Sequence, residues 1–187
     1  MLKEGAAPFD EAYPVAPDQL PVDDELTLVM TRESDAVEGY ALVEANREHL
    51  GKYLGFAQNH TLEKAQANYR KAQEIIREGK LCNYFIVRNG EKVGVIGMDF
   101  PDDKRGVMGY WLIESAEHQG VATRCAQALL GYAFDERHLG VVELDIQPTN
   151  TGSQRLAARI GAHNTGRTQI EDGQEFEVWE VLRGEEH

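Results

Sequence analysis

Between Val107 and His138 the spacing of apolar residues changes once, and that change limits what the chain can fold into. Val107-Met108-Gly109-Tyr110-Trp111-Leu112-Ile113 reads as a central strand. From Gly120 to about His138, Ala122, Cys125, Leu129 and Ala133 instead recur at helical spacing, so this segment packs one apolar stripe onto a sheet. A short polar loop joins the two. Such a junction presents unpaired backbone N–H groups and the positive end of a helix dipole, which suits an anion. Gly120 lets a phosphate approach the backbone closely and the small Ala122 leaves room beside it, so the loop is able to cradle a pyrophosphate without any lysine. Taken alone, a strand, loop and helix with one glycine is more often plain connectivity.

The rest of the chain supplies the layers around this junction. Leu26, Leu28 and Met30 alternate in a first strand, and Ser34 or Asp35 caps a helix carrying Ala36, Tyr40 and Val43 on one face before Leu50. A more polar second helix runs from near Thr61 to Arg77 and ends at Gly79. Tyr84–Val87 and Val93–Ile96 flank Asn89-Gly90, the pair that most readily supplies the positive φ angles of a hairpin turn, so they are expected as antiparallel neighbours. Val142, Leu144 and Ile146 mark a strand that Pro148 stops. Asn150 caps a short helix with Leu156, Ala157 and Ile160, and Asp172-Gly173 separates two last strands, the second holding Phe176, Val178 and Trp179. The order is that of an α/β (α+β) domain with a mixed, mostly antiparallel sheet of six to seven strands and about four helices. A doubly wound dinucleotide fold needs steady strand and helix alternation and a Gly-x-Gly-x-x-Gly turn near its first strand, and the sequence has neither.

With 187 residues, one domain is expected over 24–187, behind an extended arm or tail over 1–23 that carries Pro8, Pro14, Pro17 and Pro21. The formal net charge of −13 argues against a nucleic-acid partner, whose affinity comes from lysine and arginine, and favours cationic substrates. No segment reads as a membrane span, and Cys82 and Cys125 lack metal-ligand spacing, so no metal and a reduced, cytoplasmic protein are expected.

Several of these stretches together resemble one family. The loop is similar to the acetyl-CoA pyrophosphate motif of GNAT acetyltransferases, Gln/Arg-x-x-Gly-x-Gly/Ala, with Gly120 and Ala122 at its last two fixed positions. Gly109-Tyr110-Trp111-Leu112, Gln119-Gly120-Val121-Ala122-Thr123, Ala128–Phe134, Val142-Glu143-Leu144, Asn150-Thr151-Gly152-Ser153 and Arg159-Ile160-Gly161 resemble the RimJ/RimL branch, the ribosomal-protein N-terminal acetyltransferases and their relatives. So do Asn46-Arg47-Glu48-His49-Leu50 and Tyr53-Leu54-Gly55-Phe56. The resemblance implies an acyl-CoA-dependent N-acyltransferase on the GNAT fold, with acetyl-CoA as donor. It implies a primary amine as acceptor, such as the N-terminus of a ribosomal protein, and leaves a homodimer open.

By the same resemblance Leu112, Ile113, Glu114, His118, Gln119, Gly120, Val121, Ala122, Thr123, Asn150 and Ser153 contact the cofactor. Backbone N–H groups around Leu112 to Glu114 meet the thioester, and Ser153 matches the acid that protonates the leaving thiolate. His49, Tyr53 and Phe56 line the acceptor pocket, although the plain reading puts the two aromatics in the core. Glu114, which follows the strand presenting the thioester, is the candidate base. Two departures stand out. Glu117 takes the first motif position, and Ala162-His163-Asn164 stands where the branch often carries a catalytic glutamate. They motivate an alternative, a non-catalytic acyl-CoA-binding module, and a larger donor such as succinyl-CoA is a further variant. An α-amine is the easier acceptor, since neutralising it at pH 7 costs only ~1.4 kcal/mol against several-fold more for a lysine.

Overall fold

The computed structural model describes residues 15–171 and 173–184. One eight-stranded sheet runs in the order β1-β2-β3-β4-β5-β6-β8-β7. Its strands are β1 (Gln19–Pro21), β2 (Leu26–Met30), β3 (Leu81–Arg88), β4 (Glu91–Asp99), β5 (Arg105–Leu112), β6 (Val141–Ile146), β7 (His163–Glu171) and β8 (Gln174–Leu182). All neighbours are antiparallel except β5 and β6. The helices are α1 (Ala36–Ala45), α2 (Arg47–Leu50), α3 (Gly55–Gln58), α4 (Leu62–Arg77), α5 (Val121–Gly131) and α6 (Thr151–Arg159).

Three differences from the sequence reading have local causes. The strand count is eight because Gln19–Pro21, assigned to the arm, pairs with Thr27–Val29 at the sheet edge. The expected single helix up to Leu50 is two, because the Asn46 side chain donates to the Leu42 carbonyl at 2.9 Å and the backbone leaves helical geometry there (φ −121°, ψ 18°). The helix expected to reach His138 leaves α-geometry after Gly131, and a π-turn over Tyr132–Glu136 brings Arg137 under the sheet, with its guanidinium 3.7 Å from the Phe100 ring centre. Residues 1–14 of the arm, and Asp172 of the last turn, lie outside the described residues. The Asn89-Gly90 turn has the positive φ angles its sequence implies, 50° and 87°.

Period-2 alternation builds the main core. Leu26, Leu28, Tyr84, Ile86, Ile96, Met98, Met108 and Leu112 face the apolar stripes of α5 and α6, which contribute Val121, Cys125, Leu129, Leu156 and Ala157. The opposite face is covered by α1 to α4. There Val43, Leu50 and Ala57 form a smaller cluster against Trp111, the β5 residue between Tyr110 and Leu112. That contact sets where α2 sits, directly over the end of β5.

An ion cluster closes the one parallel junction. Glu143 of β6 is buried, and its carboxylate accepts from Arg105 of β5 at 3.2 Å and from Arg167 of β7 at 2.9 Å. Because both guanidiniums remain partly in water, Glu143→Gln is expected to destabilise by about 1–3 kcal/mol, less than rupture of a fully buried pair, read as a lower urea midpoint at unchanged slope.

Cys82 and Cys125 are fully buried, and burial pushes each thiol from 9.0 up to about 12. The unfolded chain releases these protons near the ordinary value while the folded chain holds them. Stability is therefore expected to fall as pH rises across that window, from 9.0 to about 12. Denaturant midpoints measured along that range check the sign, and a thiol reagent is expected to label neither cysteine before unfolding.

Candidate active site

β5 and β6 are paired over only three positions, Arg105 to Val141, Gly106 to Val142 and Val107 to Glu143. Beyond them β5 continues to Leu112 against β4, and β6 continues to Ile146 against β8, with no ladder between the two. The sheet opens there into a fork. Ile113 donates its N–H to the Val93 carbonyl at 2.9 Å, so the alternation of the antiparallel ladder turns the backbone groups of Leu112 and Tyr110 the other way, toward the fork. The Ile113 N–H is thus already engaged, which removes it from the expected thioester-facing amides around Leu112 to Glu114, while the Leu112 amide faces the opening.

The mouth of the fork is the N-terminus of α5. Its N-cap is Gly120, with φ +73° and no side-chain cap. A side chain there would be strained by the backbone, although a Cβ would meet nothing within 4 Å. Val121 and Ala122 are buried against the sheet, which fixes the first turn and leaves its N–H groups pointing out through the loop. Gln119 staples that loop: its amide donates to the Ser115 carbonyl at 2.7 Å and its oxygen accepts from Arg88 at 2.6 Å. His118 is exposed, with φ 60°. Arg124, in the first turn of α5, pairs with Asp23 at 2.7 Å, and Arg88 with Glu25 at 3.5 Å, so two guanidiniums flank the loop. The arrangement fits a polyanion through its bare amides and glycine, while the charge of the two flanking guanidiniums is offset by Asp23 and Glu25.

The far arm of the fork is bridged by side chains. Tyr110 Oη and Ser153 Oγ are 3.0 Å apart, joining β5 to the first turn of α6. Burial raises the Tyr110 phenol, the Ser153 hydrogen bond works the other way, and the nearby Glu117 charge raises it further. The hydroxyl pair therefore keeps its protons to high pH. Asn150 is the N-cap of α6, its Oδ1 accepting from Ser153 N–H at 3.1 Å, and so it sets the direction of Ser153.

Glu114 and Glu117, three positions apart, both turn to α2. His49 Nε2 lies 3.0 Å from Glu117 Oε1, and His49 Nδ1 lies 3.9 Å from Glu114 Oε1. The structure thus brings together three residues that the sequence treated separately: a pocket histidine, a candidate base and a motif departure. Tyr53 and Phe56 are corrected from the core reading, being 43% and 47% exposed at the rim, where the Tyr53 carbonyl accepts from Gln147 and Phe56 packs edge-on to His60. His163, where the branch often carries a catalytic glutamate, opens β7 and is exposed. Thr123 is half-buried in the first turn of α5.

Sequence reasoning missed Tyr110, Arg88 and the pairing of His49 with Glu117. Tyr110 had a signal, because alternation places it on the face of Leu112 in a strand that ends at the loop. The histidine pairing had none, since it spans 68 positions. Among the described residues no group of His, Cys, Asp or Glu is arranged to hold a metal ion, and no helix is long and apolar enough to cross a membrane.

Comparison with known proteins agrees with this geometry. The profile of the Acetyltransferase (GNAT) domain matches residues 25–163. The ribosomal-protein-serine acetyltransferase of Escherichia coli (strain K12) is 26% identical over 146 residues, which is 75% of this chain and 80% of that protein. Among solved structures, RimL, a ribosomal L7/L12 alpha-N-protein acetyltransferase in complex with coenzyme A, superposes with a TM-score of 0.80 at 21% identity, covering 88% of this chain and 97% of the other. The microcin C7 self-immunity acetyltransferase MccE, in complex with acetyl-CoA and AMP, gives 0.79 at 20% identity over 90% and 98%. The domain match spans the fork, the α5 loop and α6 together, and the chain is an N-acetyltransferase of the GNAT family.

Proposed function

We propose that this protein transfers an acetyl group from acetyl-CoA to a primary amine, with a protein N-terminal α-amine as the acceptor class. The observation that carries the reading is the bare N-terminus of α5 at the mouth of the β5–β6 fork. Amides of Val121, Ala122 and Thr123 are suited to the donor's diphosphate, with the ion-paired guanidiniums of Arg88 and Arg124 beside them. The similarity to the ribosomal-protein-serine acetyltransferase supports the protein acceptor.

In this reading the donor's thioester lies along β5, where the Leu112 amide is turned toward the fork to receive the developing oxyanion. The acceptor arrives as an ammonium past Tyr53 and Phe56 and meets Glu114, which is 73% exposed at the loop. After loss of one proton its nitrogen attacks the thioester carbonyl carbon and the C–N bond forms. As the C–S bond breaks, Ser153 gives its hydroxyl proton to the sulfur, backed by Tyr110. Of the two protons the ammonium sheds, one replaces that on the hydroxyl pair and the other goes to solvent.

Glu117 weighs against the binding-module alternative in this structure, since its carboxylate is engaged by His49. The test is a thiol-release assay with acetyl-CoA and succinyl-CoA as donors and a panel of peptides and small amines as acceptors. Acceptor-dependent release with acetyl-CoA is expected, faster for a free α-amine than for a lysine side chain. Saturable donor binding by calorimetry with no release for any amine would leave only a binding module. Ser153→Ala is expected to slow release by about 10–100-fold with donor affinity unchanged, and normal turnover in that variant would remove the acid assignment.

A further inference from the structure

His49 is held in a way that a pocket-lining residue does not require. It is the residue before Leu50, and Leu50 is buried in the cluster that docks α2 on Trp111, so the imidazole is delivered to the end of β5 by core packing. Its side chain is only 16% exposed. An ionised carboxylate has no proton to give, so in the 3.0 Å contact with Glu117 it is Nε2 that carries the hydrogen. A neutral imidazole with Nε2–H has its lone pair on Nδ1. That Nδ1 is buried and, among the described residues, has no hydrogen-bond partner. The nearest anionic oxygen is that of Glu114, at 3.9 Å. This is too long for a hydrogen bond, but a nitrogen placed beside the pair reaches both atoms at roughly 2.8–3.0 Å.

Resting on the acyl-transfer reading above, we propose that His49 takes the proton from the acceptor amine, that Glu117 is the positioning residue that fixes its tautomer, and that Glu114 receives the arriving ammonium. The base is thereby assigned to the enclosed imidazole rather than to the solvated carboxylate. Imidazole is also the side-chain class whose basicity best matches an amine near neutral pH, whereas a carboxylate is a poor acceptor for an ammonium proton. The step balances simply. The ammonium N–H bond breaks, its proton moves to Nδ1, and the imidazolium so formed lies between Glu117 on its Nε2 side and Glu114 on its Nδ1 side. The nitrogen keeps the electron pair for attack on the thioester carbon. His49 then returns its proton to solvent through the exposed Glu114. Glu117, which departs from the family's motif, has in this account a reason to be acidic, because glutamine or arginine at that position would not hold Nε2–H as an ionised acceptor does.

The experiment uses the full chain and has two arms. In the first, nitrogen-15 spectra of the histidine rings are recorded without donor. For His49 the protonated nitrogen is expected to be Nε2, with Nδ1 bare, and Glu117→Gln is expected to erase that preference. A proton resident on Nδ1 overturns the proposal. In the second, thiol release is measured at saturating acetyl-CoA. His49→Ala is expected to lose at least about 100-fold in kcat while binding acetyl-CoA normally by calorimetry, and added imidazole is expected to restore about tenfold or more. Glu117→Gln is expected to give a smaller loss, on the order of tenfold, with the donor KM unchanged. Turnover of His49→Ala within about threefold of wild type, or a loss that accompanies lost donor binding and that imidazole does not rescue, overturns the base assignment and leaves acyl transfer standing. Absence of release from the wild-type protein with every amine instead overturns acyl transfer itself, and the base assignment with it.

Discussion

The parting of β5 from β6 after three parallel pairs is the constraint on which the rest of the site depends. A sheet that stayed paired would satisfy every backbone group along Met108–Leu112 and leave no slot. Two effects keep the strands apart. Beyond Val107 each has its other edge fully engaged, β5 by β4 and β6 by β8, so neither loses its place when the ladder between them stops. At the point of parting, Glu143 draws Arg105 and Arg167 together across β5, β6 and β7, which pins the apex of the fork. Past the apex the connection is made by side chains, chiefly the Tyr110 and Ser153 hydroxyls, whose position is governed by strand alternation and by the Asn150 cap.

The two faces of the sheet contribute different things to this opening. The α5 and α6 face is a large continuous core, and it presents helix N-termini, one bare and one capped by Asn150, on the two arms of the fork. The α1 to α4 face is more sparsely packed near the site, where a small cluster around Trp111 carries α2 and its histidine. The proposed donor and acceptor sides therefore rest on separate cores that share a single strand, β5. Alternation along that strand divides the contacts: Tyr110 and Leu112 face the fork side, while Trp111 between them anchors α2.

The overall charge acquires a local meaning in the structure. At the bare helix end the −13 formal charge is locally offset, since Glu25 and Asp23 are paired there with Arg88 and Arg124. Two further acids, Glu114 and Glu117, stand around His49, on the side proposed above for the acceptor. A strongly negative net charge and an ion-paired, locally neutral helix end thus coexist in one small domain.

Much of this was legible from the chain alone. The change of apolar period between Val107 and His138 fixed a strand, a polar loop and a helix, and Gly120 at its N-cap fixed an unshielded helix end, because these are local consequences of side-chain spacing and backbone sterics. The hairpin at Asn89-Gly90, the cap at Asn150 and the order of the main elements follow from the same short-range physics. What only tertiary structure decided was which distant groups meet. The residues of β1 join the sheet because an edge was available to them, Glu143 finds two arginines across three strands, and His49 reaches Glu117 because Leu50 is buried against Trp111. Periodicity says which face a side chain is on, but not what is packed against that face, and the chemistry proposed for this protein depends on the second.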